Sequence, residues 1–207
     1  MNETPEPARV NTRPQQHPEI IVLVCNHFIR EAQAALTELG LQDVCCKAFS
    51  SRCGRPPLTW PELESAAGAG DQMARTVVLG GCCLSQLECE TPESEQFSVL
   101  QTSQCFELVV GKTFAENQIK QGGFLTTPGW LACWRPWMDK SGFDRRTARE
   151  FFRESINGIV LLETGTDDAA CQNLEDFAAF VERPATVMPV GIDVFKVCLH
   201  RRILRSE

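Results

Sequence analysis

The chain has 207 residues, enough for one domain or at most two small ones. It is 43% hydrophobic and 23% charged with a net charge of −7, so it can build a core but lacks the excess of Lys and Arg that a nucleic-acid surface needs. No apolar run approaches the roughly 20 residues that span a bilayer, and the Pro-rich start, MNETPEPARVNTRPQQHPE, is not a signal peptide.

A cytoplasmic protein is therefore expected, with no nucleic-acid or membrane partner. Residues 1–18 are expected to form a disordered tail. Ile20–Cys25 (IIVLVC) is a short β-branched run that reads as a buried strand. Phe28–Leu39 has helical spacing and closes at Gly40. Asp43–Phe49 is a second strand, followed by the turn-rich SSRCGRPP. Thr59 and Glu62 have the spacing of a capping box at the head of a helix over Pro61–Ala67. Arg75–Leu79 is a third strand, ending in Gly80-Gly81, and Phe97–Gln101 is a fourth. Cys105–Gln121 reads as one helix, broken by Gly122-Gly123, and Phe124–Trp137 as part loop and part short helix. Asp144 caps a helix through Glu154. Gly158–Leu162 is a strand, Asp167–Val181 a helix, Ala185–Val190 the last strand and Ile192–Leu204 the last helix.

Strands alternating with helices predict an α/β fold: a mainly parallel sheet with helices on both faces, in Rossmann-like layers. Residues 19–207 are expected to form a single such domain, or two small lobes divided near residues 123–157.

Eleven cysteines in a chain without an export signal call for an explanation other than disulfides. In parallel sheets, ligands bind outside the carboxyl ends of the strands. Cys25 ends the first strand, Cys53 follows the second, Cys82 and Cys83 follow the third, and Cys105 follows the fourth. A parallel sheet brings these segments to one edge, with Gly81 and Gly54 allowing close backbone approach. Only one of Cys82 and Cys83 is expected to point into the site. Cys105 opens a helix, where the dipole favours a thiolate. Thiolates suit soft centres, so a [4Fe–4S] cluster is expected, with zinc as the alternative. Cys45, Cys46, Cys171 and Cys198 are expected to pack in strands and helices, as are Cys89 and Cys133. Trp130 and Trp134 are candidates to wall a cofactor pocket, and equally to be core. His27 reads as a ligand or base, or more simply as a surface residue opening a helix. His17 and His200 read as solvated. Glu107 reads as solvated or facing the site, and Glu163-Thr164-Gly165 lies at the ligand edge. Gly80-Gly81 is not a phosphate-binding fingerprint, and no nucleophile elbow is evident.

The succession VVLGGCCLSQL, QCFELVVGK and GGFLTTPGWL resembles a widespread bacterial and archaeal family of uncharacterised, cysteine-containing proteins. The resemblance runs over roughly residues 20–165. It implies metal or cluster binding, with Cys53 standing where many members have a His, an exchange that a metal ligand tolerates. The GGCC turn departs from the commoner Gly-Leu-Cys-Gly pattern. The RCGRPPL and FDRRTAREFF segments resemble those of N-terminal input domains of sensor histidine kinases. Other relatives are associated with corrinoid-dependent methyl transfer. The expected function is thus a metal-binding sensory or regulatory domain, read by a downstream signalling domain or protein partner, rather than an enzyme. The alternative is an enzyme or accessory protein of corrinoid or methyl-transfer metabolism with the same metal site. A homodimer is an open option that no heptad run supports.

Overall fold

The computed structural model describes residues 19–53, 55–68, 74–87 and 96–204. The expected N-terminal tail, His17, Gly54 and Cys89 lie outside them. Strand β1 (Ile20–Cys25) is central, with β2 (Val44–Phe49) on one side and β3 (Arg75–Gly80) then β4 (Phe97–Gln101) on the other. Every pairing is parallel. A second sheet, β5 (Gly123–Thr126), β6 (Gly158–Glu163) and β7 (Ala185–Pro189), is also parallel. The fold is therefore α/β, with two parallel sheets rather than one.

The first sheet is enclosed because its central strand is apolar at every position. Residues Ile21–Cys25 are all buried, which requires cover on both faces. Helix α1 (Ile29–Glu38), preceded by a 3-10 turn over Asn26–Phe28, and α2 (Trp60–Ala67) pack on β1 and β2. Helix α2 begins at the expected capping box: the Glu62 carboxylate accepts from the Thr59 N–H at 3.0 Å and the Thr59 hydroxyl at 3.1 Å.

The second sheet shares its layers between two cores by simple alternation. Leu125, Val160, Leu162 and Met188 face the core of the first sheet. Phe124, Ile159 and Leu161 face a second core. The register pairs Phe124 with Ile159 and Leu125 with Val160, as the period of two demands. The second core is aromatic. Phe124, Trp130 and Phe152 converge on Phe177 with centroid separations of 6.1, 5.2 and 5.5 Å. It is closed by α5 (Pro128–Leu131), α6 (Trp134–Lys140), α7 (Arg145–Ser155) and α8 (Ala170–Val181).

Two local expectations are corrected. The helix expected over Cys105–Gln121 is two, α3 (Glu107–Val110) and α4 (Lys112–Lys120), because Gly111 adopts φ +76° between them. The segment taken for loop at Phe124 begins as strand β5.

The last helix, α9 (Asp193–Leu204), returns to the first half of the molecule. It packs on α1 and α3, and Phe195 stacks on Phe28 at 6.2 Å. Arg75 of β3 donates to the carbonyls of Ile203 and Arg202 at 2.8 and 2.7 Å, satisfying the end of the helix. Arg202 in turn donates to the Val99 carbonyl of β4.

Candidate functional site

The order β2-β1-β3-β4 reverses between β1 and β3, where successive connections leave in opposite directions. Such a switch opens a crevice at the carboxyl ends of the two strands. Cys25 is the last residue of β1, and Gly81 follows the last residue of β3.

Backbone and side-chain hydrogen bonds draw the four edge loops together. The Asn26 Oδ1 accepts from the Ser51 N–H at 3.1 Å and from the Cys25 thiol at 3.5 Å, joining the ends of β1 and β2. The Leu58 N–H donates to the Cys83 carbonyl at 2.8 Å. The Thr102 N–H and hydroxyl donate to the Gly80 carbonyl at 2.9 and 3.1 Å, joining β3 to β4. A Cβ on Gly81 would lie 2.7 Å from the Cys105 nitrogen, so the Cys82 turn meets the Cys105 turn only through glycine. Glu107 is buried and accepts from the Gln104 N–H at 2.9 Å, pinning the Cys105 turn rather than pointing into solvent.

The thiols at this edge act on one another. Burial pushes the Cys105 thiol far up, and the neighbouring Cys53, Cys25, Cys83 and Cys82 push it the same way. The Cys25 thiol is pushed up to about 12 by burial, against a hydrogen bond from the His27 backbone, with Cys53, Cys83 and Cys133 adding to the rise. Cys83 is raised by burial first and then by Cys82 and Cys53, while the Gly81 backbone opposes it. Cys53 keeps an exposed edge, yet the atoms crowded round its sulfur raise its thiol, and Cys82 adds to this. Cys105 stands ahead of α3, which begins at Glu107 and has only four residues, so without a cation burial favours its neutral thiol.

The segments that carry Cys25, Cys53, Cys82, Cys83 and Cys105 therefore lie at one edge of the first sheet. Cys83 is half-buried and acts on both Cys25 and Cys105, whereas Cys82 is exposed. Four or five soft donors that cannot share negative charge without a cation suit a thiophilic metal. Among the described residues, no three His, Cys, Asp or Glu side chains already stand in an arrangement that would hold a single metal ion. The donor chemistry fits such a group, and single-ion geometry is not preformed.

Two residues treated as packing or surface belong to this neighbourhood. Cys133 is exposed and acts on Cys25 from the far side. His27 is buried, not a surface residue, and burial lowers its pKa, leaving a neutral imidazole. They meet because α5 docks on the turn after β1: a Cβ on Gly129 would lie 2.1 Å from the His27 carbonyl oxygen. Cys133 lies three residues beyond Trp130, on the same side of a helical turn. Between the two elements lies a cleft of about 310 Å³. Asn26, Ser50, Ser51 and Cys53 form one wall, and Trp130, Cys133 and Trp137 the other. Trp134 does not line it: it packs on Phe177 and Phe180 in the second core. Of the remaining cysteines, Cys46 packs on the first core, Cys45 and Cys198 are half-buried, and Cys171, expected to pack, is exposed.

No helix among the described residues is long and apolar enough to cross a membrane. No curated protein and no solved structure matches the chain. A family model described as a protein of unknown function (DUF1638) matches residues 62–199. The matched stretch includes Cys82, Cys83, Cys105, Trp130 and Cys133, and begins after Cys25 and Cys53. With two thirds of its length covered by that model, the chain belongs to the DUF1638 family.

Proposed function

We propose that this protein is a sensory or regulatory domain whose sheet-edge thiols hold a metal centre, an iron–sulfur cluster in preference to zinc. The observation that carries the reading is the convergence, at the switch point of the parallel first sheet, of the strand-end segments that bear Cys25, Cys53, Cys83 and Cys105. Buried thiols that repel each other's charge gain most from a cation, and thiolate ligands are the common currency of iron–sulfur centres. A cluster spans several atoms, so its sulfurs stand farther apart than those round one ion. Of the adjacent pair, Cys83 is the half-buried donor and Cys82 the exposed one. The state of the centre would reach a partner through α5, which rests on the turn carrying Cys25, or through α9. Helix α9 shows Val194, Val197 and Leu204 to solvent, apolar surface that suits a signalling partner such as a kinase.

Anaerobic purification of wild type and of Cys105→Ser and Cys83→Ser, with iron, sulfide and zinc analysis and an absorption spectrum, tests this. Iron and sulfide in wild type, both lost with Cys105→Ser, are expected. Zinc alone would replace the cluster with a single-ion site, and a metal-free wild type would sink the proposal.

A further inference from the structure

The cleft beside the thiols has a charge pattern opposite to that of the chain. The protein carries 27 Asp and Glu against 20 Lys and Arg. The cleft lining contains no Asp or Glu, and it contains Arg55 and Lys140. Neither cation has an ion pair among the described residues. The opposite wall is aromatic: the Trp130 and Trp137 rings stand 5.7 Å apart, tilted by 58°. The hydroxyls of Ser50 and Ser51 add short polar groups. Volume fits a small molecule, since about 310 Å³ lies at the low end of ligand pockets, ~300–1,000 Å³.

We infer that this cleft binds a small organic anion, a carboxylate or phosphate on a flat apolar body, with its acid at Arg55 and Lys140 and its body against Trp130 and Trp137. Arg55 offers a planar fork and Lys140 a point charge, which together orient an acidic group. The indole rings take the apolar part at little entropic cost. Such a ligand lies over Cys53 and Cys133, which share the lining, and covers the thiol edge from solvent. Binding uses the lining as it stands and does not depend on whether the thiols hold a metal.

The probes are benzoate and phenyl phosphate, with benzamide and benzyl alcohol as uncharged counterparts and inorganic phosphate as the bodiless anion. Binding to the full chain is followed by tryptophan fluorescence and calorimetry. Of the four Trp, only Trp130 and Trp137 line the cleft, so a saturable change is read at those two rings. At least one aromatic anion is expected to saturate and the uncharged pair to bind about tenfold more weakly, as loss of a charge-assisted contact implies. Arg55→Gln with Lys140→Gln, both exposed side chains, is expected to abolish the difference while leaving the fold intact. The bound anion is also expected to slow alkylation of Cys133 by iodoacetamide, and not that of Cys171, which is exposed and lies outside the lining. Each result is expected equally in Cys105→Ser, which separates this site from the metal centre. Equal binding of benzamide and benzoate, unchanged binding by the double variant, or no saturable binding of either aromatic anion would overturn the inference. Tight binding of inorganic phosphate alone would overturn the part played by the tryptophans.

Discussion

Glu31 is the most deeply buried carboxylate in the described part of the molecule. It is 1% exposed, and its Oε1 accepts from the Thr164 and Thr166 hydroxyls at 2.9 and 3.1 Å. Its Oε2 is buried without a hydrogen-bond partner. Burial pushes the carboxyl above its ordinary 4.5, against its own backbone, the two threonines and the charge of Arg30. Below pH 4.5 the acid is neutral in both folded and unfolded chains and carries no ionisation penalty. As pH rises, the unfolded chain ionises first, so stability falls until the folded carboxyl titrates. Glu31→Gln keeps an acceptor for the threonines and removes that loss. The variant is expected to match wild type in thermal unfolding near pH 4 and to be the more stable of the two at pH 7. A variant less stable than wild type at pH 7 would show the carboxylate to be favourable. None of this was readable from the chain, because an acid in the first turn of a helix ordinarily faces water. Thr164 was legible only as part of a strand-end loop. The converging edge cysteines were legible because a parallel sheet fixes which end of every strand they occupy. Cys133 was not, because it arrives from the second sheet, and no local pattern states which loops of two sheets face each other.

Elements were legible where periodicity or caps marked them, as at the Thr59 box and the Asp144 cap, whose carboxylate accepts from the Thr147 N–H at 2.7 Å. Two were hidden for physical reasons. Strand β5 has four residues, starting on the second glycine of a pair and ending before a proline-led helix, too few for alternation to show. The break at Gly111 lies inside one continuous helical pattern, where a lone glycine is tolerated, and its positive φ is what divides the two helices. Helix α5 is equally short and holds its place by contact alone: Thr127 caps it, accepting from the Trp130 N–H at 3.4 Å, and Gly129 lies on the His27 carbonyl. Gly129→Ala puts a methyl 2.1 Å from that oxygen, so α5 must lift from the Cys25 turn. A loss of about 3 kcal/mol in denaturant unfolding is expected, at the upper end of overpacking costs of ~1–3 kcal/mol. Unchanged stability would mean that α5 moves aside freely, and the aromatic wall of the cleft with it.

For the whole molecule, alternation of strand and helix predicted the parallel α/β class but not its division into two sheets. Hydrophobic pattern says that a strand is buried, not which neighbour it pairs with. Leu125 and Leu162 of the second sheet share a core with Leu23 and Val78 of the first, and Phe195 of α9 lies in the same core. A core common to both sheets predicts a single cooperative unfolding transition. Phe195→Ala, at a fully buried position, is expected to cost about 3–5 kcal/mol and to lower the whole transition, by circular dichroism and tryptophan fluorescence alike. Two separated transitions, with only the first-half signal displaced, would show that the sheets unfold independently.

The return of α9 to the first sheet has a consequence for how the protein is made. On the ribosome, β1 to β4 and their cysteines emerge long before Phe195, Leu199 and Ile203, which complete their core. During that interval the early half has exposed apolar surface and a thiol edge without its α5 cover. Arg75 waits 127 residues for the carbonyl of Arg202 that it binds. Contacts of such long sequence separation form late, so the thiols are most open to solvent and to oxidation while the chain is still nascent.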